Sequence, residues 1–155
     1  MKHGIIAIVI SMMLMIPVFA QEKSISSGFD GVSWNKVVPI KKATFIKFDE
    51  KSFLDDFAYI ASIPASVFYD KESNRIYSYP LLFYQDYNKE KYLNARQGLD
   101  YFMEDWIKYC GSLDEVDYIN VEQEPWKGNT TYHIRSNDVY EISSKIALHE
   151  WSYSD

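Results

Sequence analysis

Alternating apolar and polar positions divide the chain into short strand-like runs and longer helix-like segments. The longest segment spans 93–110, where apolar side chains recur every three or four residues and predict an amphipathic helix. Its apolar stripe comprises Leu99, Phe102, Met103, Trp106, Ile107 and Cys110. We expect Trp106 on this stripe to be mostly buried. Short apolar runs at 81–84 and 116–121 flank the helix and predict a parallel β–α–β unit, because parallel strands need a crossover connection.

The same pattern predicts a strand and a helix before this unit. Residues 43–48 alternate as in a strand, and 52–62 carry an apolar helical stripe. Ser52 is suited to begin that helix. Pro64 is expected to stop it, because the residue before a proline avoids helical geometry.

Two further regions complete the predicted order. Runs at 66–69 and 75–79 favour a hairpin, because the residues between them are typical of turns. In the alternative, the first of these runs belongs to the main sheet. A last helix is predicted over 138–150, with Ser136 or Asn137 as its cap.

These elements predict an α/β fold: an open, mostly parallel sheet with flanking helices. The strands near 43–48, 81–84 and 116–121 are expected to be parallel neighbours joined by right-handed crossovers. Only residues 151–155 follow the last helix, where such a series normally continues into another strand. We therefore expect the sheet to be incomplete at its C-terminal side, with an unpaired edge, and the mature chain to be marginally stable or self-associating.

The first twenty residues predict an export signal. A short basic start precedes an almost wholly apolar run at 5–19, and Ala20 provides a small residue at the expected cleavage position. A membrane anchor is the alternative, but the run is shorter than the ~20 residues that span a bilayer. The predicted organisation is a signal peptide over 1–20, an extended lead-in over 21–42 and an α/β domain over 43–155, with the mature protein secreted or at the cell surface.

Composition narrows the classes of partner. A net charge of −6 and the lack of a basic run argue against nucleic acid, because phosphate backbones are bound by clustered Lys and Arg. Aromatic residues make up 17% of the chain, and such rings serve in cores or, in exported proteins, stack on sugars. Cys110 is the only cysteine, so no intramolecular disulfide can form, and its place on the helical stripe predicts a buried thiol.

The sequence holds no complete catalytic or metal-binding motif. His149 and Glu150 could begin a metalloprotease pattern, but Tyr153 stands where the second histidine is needed. His133 is the only other histidine after the predicted signal peptide, so the chain has few histidine ligands for a zinc site. A glycine-rich phosphate loop and a Gly-x-Ser-x-Gly context are absent as well. We therefore predict no metal and no cofactor.

Polar side chains follow each of the three predicted strands. They are Asp49, Glu50, Gln85, Asp86, Glu122 and Gln123. Because ligands of open α/β sheets bind beyond the carboxyl ends of the strands, these residues are candidates for a ligand-binding edge; the alternative is that they are solvated loop residues. Asp55 and Asp56 could hold a hard cation or act as acid and base, or simply favour the helix dipole. In the predicted loop 122–137, Asn129 begins a weak N-glycosylation pattern.

The order of these segments carries a family resemblance. The run at 80–84, the central helix, the strand at 117–121 and the sequence Tyr-Glu-Ile-Ser-Ser-Lys-Ile-Ala at 140–147 follow one another. In this the chain resembles the cell-wall-binding repeat type 2 of microbial surface proteins, where a Pro-led strand, a helix and a second strand precede a Tyr-Glu-Thr-x-x-x-Ile-Ala pattern. Segments 94–106 and 149–155 are also similar to exported archaeal surface proteins of unassigned function.

The resemblance covers residues 43–155 and implies an α/β repeat that often occurs in tandem and holds a protein non-covalently to the envelope. Our first hypothesis is therefore a non-catalytic envelope or surface-associated module, one unit of a longer protein, that binds a wall or surface polymer. Neighbouring repeats would be its other partners. The alternative is an exported hydrolase that uses the carboxylates at the strand ends. The lack of an assembled nucleophile or metal set favours the module.

Overall fold

The structure, a computed structural model, describes residues 37–85 and 93–151. Within these ranges the chain forms seven strands and three helices. The strands are β1 (Val37–Pro39), β2 (Lys42–Lys47), β3 (Val67–Asp70), β4 (Arg75–Ser78), β5 (Leu81–Tyr84), β6 (Glu115–Ile119) and β7 (Thr130–Ile134). The helices are α1 (Leu54–Ser66), α2 (Leu93–Cys110) and α3 (Val139–Glu150).

Four of these strands form a parallel sheet in the order β5-β2-β6-β7. The central strand β2 has Ile46 opposite Phe83 of β5 on one side and opposite Ile119 of β6 on the other. All three pairings are parallel. The predicted α/β fold, with a parallel sheet and flanking helices, is confirmed.

Helices cover both faces of the sheet. Phe45 of β2 belongs to one buried cluster together with Leu99 and Met103 of α2. The next residue, Ile46, points to the opposite face, where it joins a second cluster that includes Ile142 of α3. Because both faces are buried, the strands read as apolar runs in the sequence.

β7 lies inside the segment 122–137 that we predicted to be a loop, so that prediction is wrong there. Only Ile134 of its five residues is buried, and the other four lack the apolar alternation that marks a strand in a sequence. Such a pattern suits a strand that pairs on one side only. β7 pairs with β6, so the sheet extends by one strand beyond the three that we predicted.

An irregular connection, instead of a helix, joins the parallel strands β6 and β7. Its Trp126 ring stacks on Phe45 with 4.8 Å between centroids, and the Trp126 backbone N–H donates to Tyr118 Oη over 3.0 Å. Gly128 lets the connection pass close to β6, because a Cβ there would lie 2.9 Å from the Thr130 carbonyl oxygen and 3.0 Å from Glu115 Cα. Trp126 therefore adds to the core on the face that α2 covers.

α1 runs through Pro64 to its end at Ser66, whereas we predicted that it stops before the proline. The proline nitrogen cannot donate to the Ile60 carbonyl. Ile60 is exposed, so water can replace that hydrogen bond. At the other end, Ser52 lies just before the helix, and its Oγ accepts from the Leu54 backbone N–H over 3.3 Å.

The second sheet has the order β1-β4-β3. Its antiparallel pair β3–β4 is the hairpin that we predicted for 66–69 and 75–79, so the alternative that placed its first strand in the main sheet is wrong. β1 comes from the predicted lead-in over 21–42 and pairs in parallel with β4. The predicted signal peptide over 1–20 lies outside the described residues. In the part of the chain that is described, no helix has both the length and the apolar character to cross a membrane.

α2 has the predicted bounds, but its apolar stripe is less buried than expected. Leu99 and Met103 are buried, and Trp106 packs partly buried against the same cluster, in agreement with the expectation that most of its side chain is covered. The Trp106 indole N–H donates to the Lys42 carbonyl over 3.1 Å. The same side chain lines a surface groove together with Val37 and Pro39 of β1. Cys110, also predicted to be buried, is half-buried at the helix end, and its partial burial raises the pKa of the thiol.

Candidate functional site

A cleft lies at the carboxyl end of the sheet between β2 and β6, because the connections that follow these two strands lead in opposite directions, to β5 and to β7. The chain passes from β2 to β5 on one side and later returns to β6 on the other, and ligands of open α/β sheets bind at such a reversal of strand order. The cleft has a volume of about 830 Å³. Its lining comprises Ile46, Lys47, Asp49, Leu54, Asp55, Ala58, Asn120, Glu122, Arg135, Ser136, Asn137, Asp138 and Glu141.

The predicted ligand-binding edge is only partly brought together in this cleft. Asp49 and Glu122 line it, from the ends of β2 and β6. Glu50 and Gln85 follow the strands of the same edge but are not among its lining residues, and Asp86 lies outside the described residues. Gln123 is not a lining residue either, so the cleft brings together two of the six candidates.

The lining residues on the far side of the cleft were missed because they follow β7, which the sequence did not reveal; they are Arg135, Ser136, Asn137, Asp138 and Glu141. Asn120 holds this second half of the cleft in place: its Nδ2 donates to the Ser136 carbonyl over 2.9 Å, and its Oδ1 accepts from the Ser136 backbone N–H over 3.0 Å. Asn120 has φ 57°, a left-handed conformation that asparagine tolerates better than most residues. An asparagine directly after an apolar strand is a sequence signal that could have pointed to this turn.

Carboxylates on the α1 side of the cleft are engaged in local hydrogen bonds. Asp49 accepts from the Lys51 backbone N–H over 2.9 Å and from the Ser52 hydroxyl. The bond from Ser52, followed by that from Lys51, lowers the pKa of Asp49. Asp55 accepts from the backbone N–H groups of Asp49 and Asp56, over 3.1 and 3.0 Å. These carboxylates shape the turn that leads into α1.

Carboxylates on the α3 side have similar structural roles. Asp138, one residue after the caps that we predicted, is the N-cap of α3 and accepts from the backbone N–H groups of Tyr140 and Glu141 over 3.0 and 2.8 Å. Glu141 accepts from the Ser136 hydroxyl over 2.6 Å and pairs with Lys145 at 2.8 Å. The Lys145 contact, followed by that of Ser136, lowers the pKa of Glu141.

A second group of polar side chains is buried at the amino end of the sheet, and we call it the charged cluster. It comprises Lys42, Glu115, Asp117, His149 and Glu150. The Lys42 side chain is 1% exposed, and its Nζ lies 2.7 Å from Glu115 Oε1, 2.6 Å from Asp117 Oδ2 and 2.9 Å from Glu150 Oε2. Burial lowers the pKa of Lys42, but the charges of Glu150 and Asp117 outweigh it and raise the pKa overall.

Glu150 is held in the cluster by two further donors. The Tyr79 hydroxyl donates to its Oε2 over 2.5 Å, and the Thr44 hydroxyl donates to its Oε1 over 3.2 Å. Burial, assisted by the negative charge of Glu150, raises the pKa of Tyr79. The phenol therefore remains a proton donor.

His149 forms the solvent side of the charged cluster. Its Nε2 lies 3.2 Å from Asp117 Oδ2 and 3.7 Å from Glu115 Oε1. Hydrogen bonding to Asp117, and secondarily to Glu115, raises the pKa of His149 to about 9. Burial raises the pKa of Asp117 to about 6 in spite of its cationic neighbours.

The cluster was missed because its members come from three distant segments. Lys42 and Thr44 alternate on β2, and Glu115 and Asp117 alternate on β6, all pointing to the face that α3 covers. Charged residues at alternate positions of an otherwise apolar strand were the available sequence signal. His149 was considered only as part of a motif along one helix.

A third surface feature is a groove beside α2 with a volume of about 700 Å³. Trp106 and Tyr109 line it, with ring centroids 5.8 Å apart, and Phe102 contributes a third ring. We call this the aromatic groove. Asn129, the predicted glycosylation residue, lies elsewhere, in an exposed turn where its Nδ2 donates to Asp114 Oδ1 over 3.2 Å.

Comparisons with protein-family models, with curated proteins and with solved structures find no match to this chain. The resemblance to the cell-wall-binding repeat therefore stays a prediction.

Proposed function

We propose that the protein is an exported envelope or surface-associated module that binds a wall or surface polymer in the cleft and does not cleave it. The observation that carries this proposal is the lining of the cleft. Lys47 and Arg135 supply donors, Glu122 supplies acceptors, and the Asn137 amide supplies both. Such a mixed lining suits a hydroxylated chain, whose groups both donate and accept hydrogen bonds.

An apolar wall complements these polar groups. Ile46, Leu54 and Ala58 line the side of the cleft where α1 packs on the sheet. Ligand sites commonly combine apolar surface with a few oriented polar groups. Ile46 and Ala58 are each only 1% exposed, so Leu54 would contact the carbon-bound hydrogens of a sugar or a similar polymer unit, while the hydroxyls of that unit meet the polar side.

The carboxylates of the cleft favour binding over hydrolysis. Asp49, Asp55, Asp138 and Glu141 each accept hydrogen bonds that shape a turn or a helix start. A general acid needs a pKa near the working pH, whereas the lowered pKa of Asp49 keeps that carboxylate ionised. Four of the five carboxylates thus have structural roles that a proton-transfer role would disturb.

Co-sedimentation of the mature protein with insoluble peptidoglycan and with an insoluble surface polysaccharide tests this proposal. We expect retention on one of them, and we expect Arg135→Ala and Asn137→Ala to weaken it about tenfold each, which is the loss of roughly one hydrogen bond. Tyr109→Ala, in the aromatic groove, is the matched control and should bind like the unaltered protein. Loss of binding only in the Tyr109 variant would move the polymer to the aromatic groove and refute the cleft.

The same incubations test the hydrolase alternative. Release of soluble fragments that disappears in Glu122→Gln or Asp49→Asn would replace the binding proposal with catalysis. We expect the polymer mass to remain unchanged during prolonged incubation. A measurement of reducing ends and of fragment mass distinguishes the two outcomes.

A further inference from the structure

The solvent side of the charged cluster has the geometry of a metal site. His149 Nε2 lies 3.2 Å from Asp117 Oδ2 and 3.7 Å from Glu115 Oε1. In tetrahedral zinc sites, Zn–N and Zn–O bonds of about 2.0–2.2 Å place neighbouring ligand atoms about 3.3–3.6 Å apart. Within the described ranges, this is the one group of three such side chains whose ligand atoms all lie within 4.8 Å of one another.

An independent observation at Asp117 points to a missing ligand. The Asp117 side chain is 0% exposed, yet its Oδ1 has no hydrogen-bond partner in the described parts of the chain. A buried carboxylate oxygen left in this state is costly. A cation beside His149 that is ligated by both oxygens of the Asp117 carboxylate would remove that cost.

The charge balance of the cluster favours a divalent cation. Glu115, Asp117 and Glu150 place three carboxylates around the single ammonium of Lys42, at 2.6–2.9 Å. One ammonium and a dication together neutralise three carboxylates to within one charge, and buried charges are tolerated only when they are nearly balanced. Each carboxylate oxygen has two lone pairs, so contact with Lys42 leaves Glu115 and Asp117 able to ligate a metal.

We propose that Glu115, Asp117 and His149 bind a divalent transition metal, with Zn²⁺ as the best match to one imidazole and two carboxylates. A nitrogen ligand argues against Mg²⁺ and Ca²⁺, which prefer oxygen ligands alone. The metal joins the end of α3 to the start of β6 and so stabilises the fold. It reaches the site past His149, whose side chain is 27% exposed and lines a shallow cavity with Tyr132.

Zinc binding to the metal-free mature protein is measured by competition with a chromophoric chelator. We expect one Zn²⁺ per chain, and His149→Gln should weaken binding at least about 100-fold, since even outer-shell losses reach that size. Glutamine keeps a donor for Asp117, so the fold is retained, which circular dichroism checks. The midpoint temperature of thermal unfolding should rise with Zn²⁺ in the unaltered protein and not in the variant. Millimolar Mg²⁺ should leave the midpoint of both proteins unchanged.

His133→Gln provides the matched control. His133 lines the same shallow cavity, but its Nε2 lies 2.8 Å from Glu124 Oε1, and its ring stacks on Tyr118, on the face of the sheet that α2 covers. We expect this variant to bind Zn²⁺ like the unaltered protein. Failure to bind Zn²⁺, or binding that His149→Gln leaves intact, would overturn the proposal, and so would equal losses in both variants, which would place the metal between two surface histidines.

Discussion

Replacing Lys42 with methionine should destabilise the protein by about 3–5 kcal/mol, the usual cost of removing one partner of a buried ion pair. Methionine keeps most of the apolar stem but removes the ammonium that contacts Glu115, Asp117 and Glu150 at 2.7, 2.6 and 2.9 Å. The side chains of Asp117 and Glu150 are fully buried, so water cannot replace the lost contacts. The three carboxylates would then repel one another in a poorly solvated space.

Urea unfolding followed by circular dichroism measures this loss. Lys108→Met is the matched control, because Lys108 pairs with Glu104 over 2.6 Å but on the helix surface, where solvent screens the pair and its contribution to stability is small. The cost of Lys42→Met should be larger at pH 8 than at pH 5, since protonation relieves carboxylates that have lost their cation. Equal, small costs for both variants at pH 8 would refute the idea that burial makes the charged cluster essential.

Three further predictions follow from individual side chains. The pKa of His149 is raised in the folded state, so its contribution to stability is complete below about pH 6.5 and is lost as the pH rises through about 9. With a chelator present, the free energy of unfolding should therefore fall by about 1–2 kcal/mol over that range. His149→Gln should make this pH profile flat. Trp106→Ala should cost about 2 kcal/mol in urea unfolding, because the half-buried indole also loses its hydrogen bond to Lys42; a cost near zero would contradict that contact. Asn120→Gly keeps the left-handed backbone but loses both hydrogen bonds to Ser136, so it should lower the free energy of unfolding by about 1–2 kcal/mol and weaken polymer binding. Unchanged binding and stability would contradict the role of Asn120 in holding the cleft.

The main elements of the fold could be predicted because their apolar periodicity is a direct consequence of burial. α2 shows the helical stripe and β2 shows a run that is buried on both faces, and the structure has both where the sequence predicts them. β7 could not be found in this way, since Ile134 is its only buried residue and main-chain pairing with β6 holds the strand. The passage of α1 through Pro64 depends on solvent reaching the Ile60 carbonyl, which is a property of the folded surface.

The candidate sites were predictable only as far as strand order could be inferred. Ligands of open sheets bind beyond the carboxyl ends of the strands, and on this basis we predicted that Asp49 and Glu122 lie near each other. The structure has both in one cleft. Arg135 and Asn137 could not be included, because the strand that positions them was unrecognised. The charged cluster joins residues more than 70 positions apart, such as Lys42 and Glu115, so no spacing along the chain could reveal it.

The most direct test of polymer binding in the cleft is an amide-resolved NMR titration of the mature protein with soluble fragments of the polymer that retains it. We predict chemical-shift changes concentrated at residues 47–49, 120–122 and 135–138, with no comparable change at Phe102 or Tyr109 of the aromatic groove. Arg135→Ala should reduce the changes without altering the rest of the spectrum. Shifts centred on the aromatic groove, or none at saturating fragment, would contradict the account.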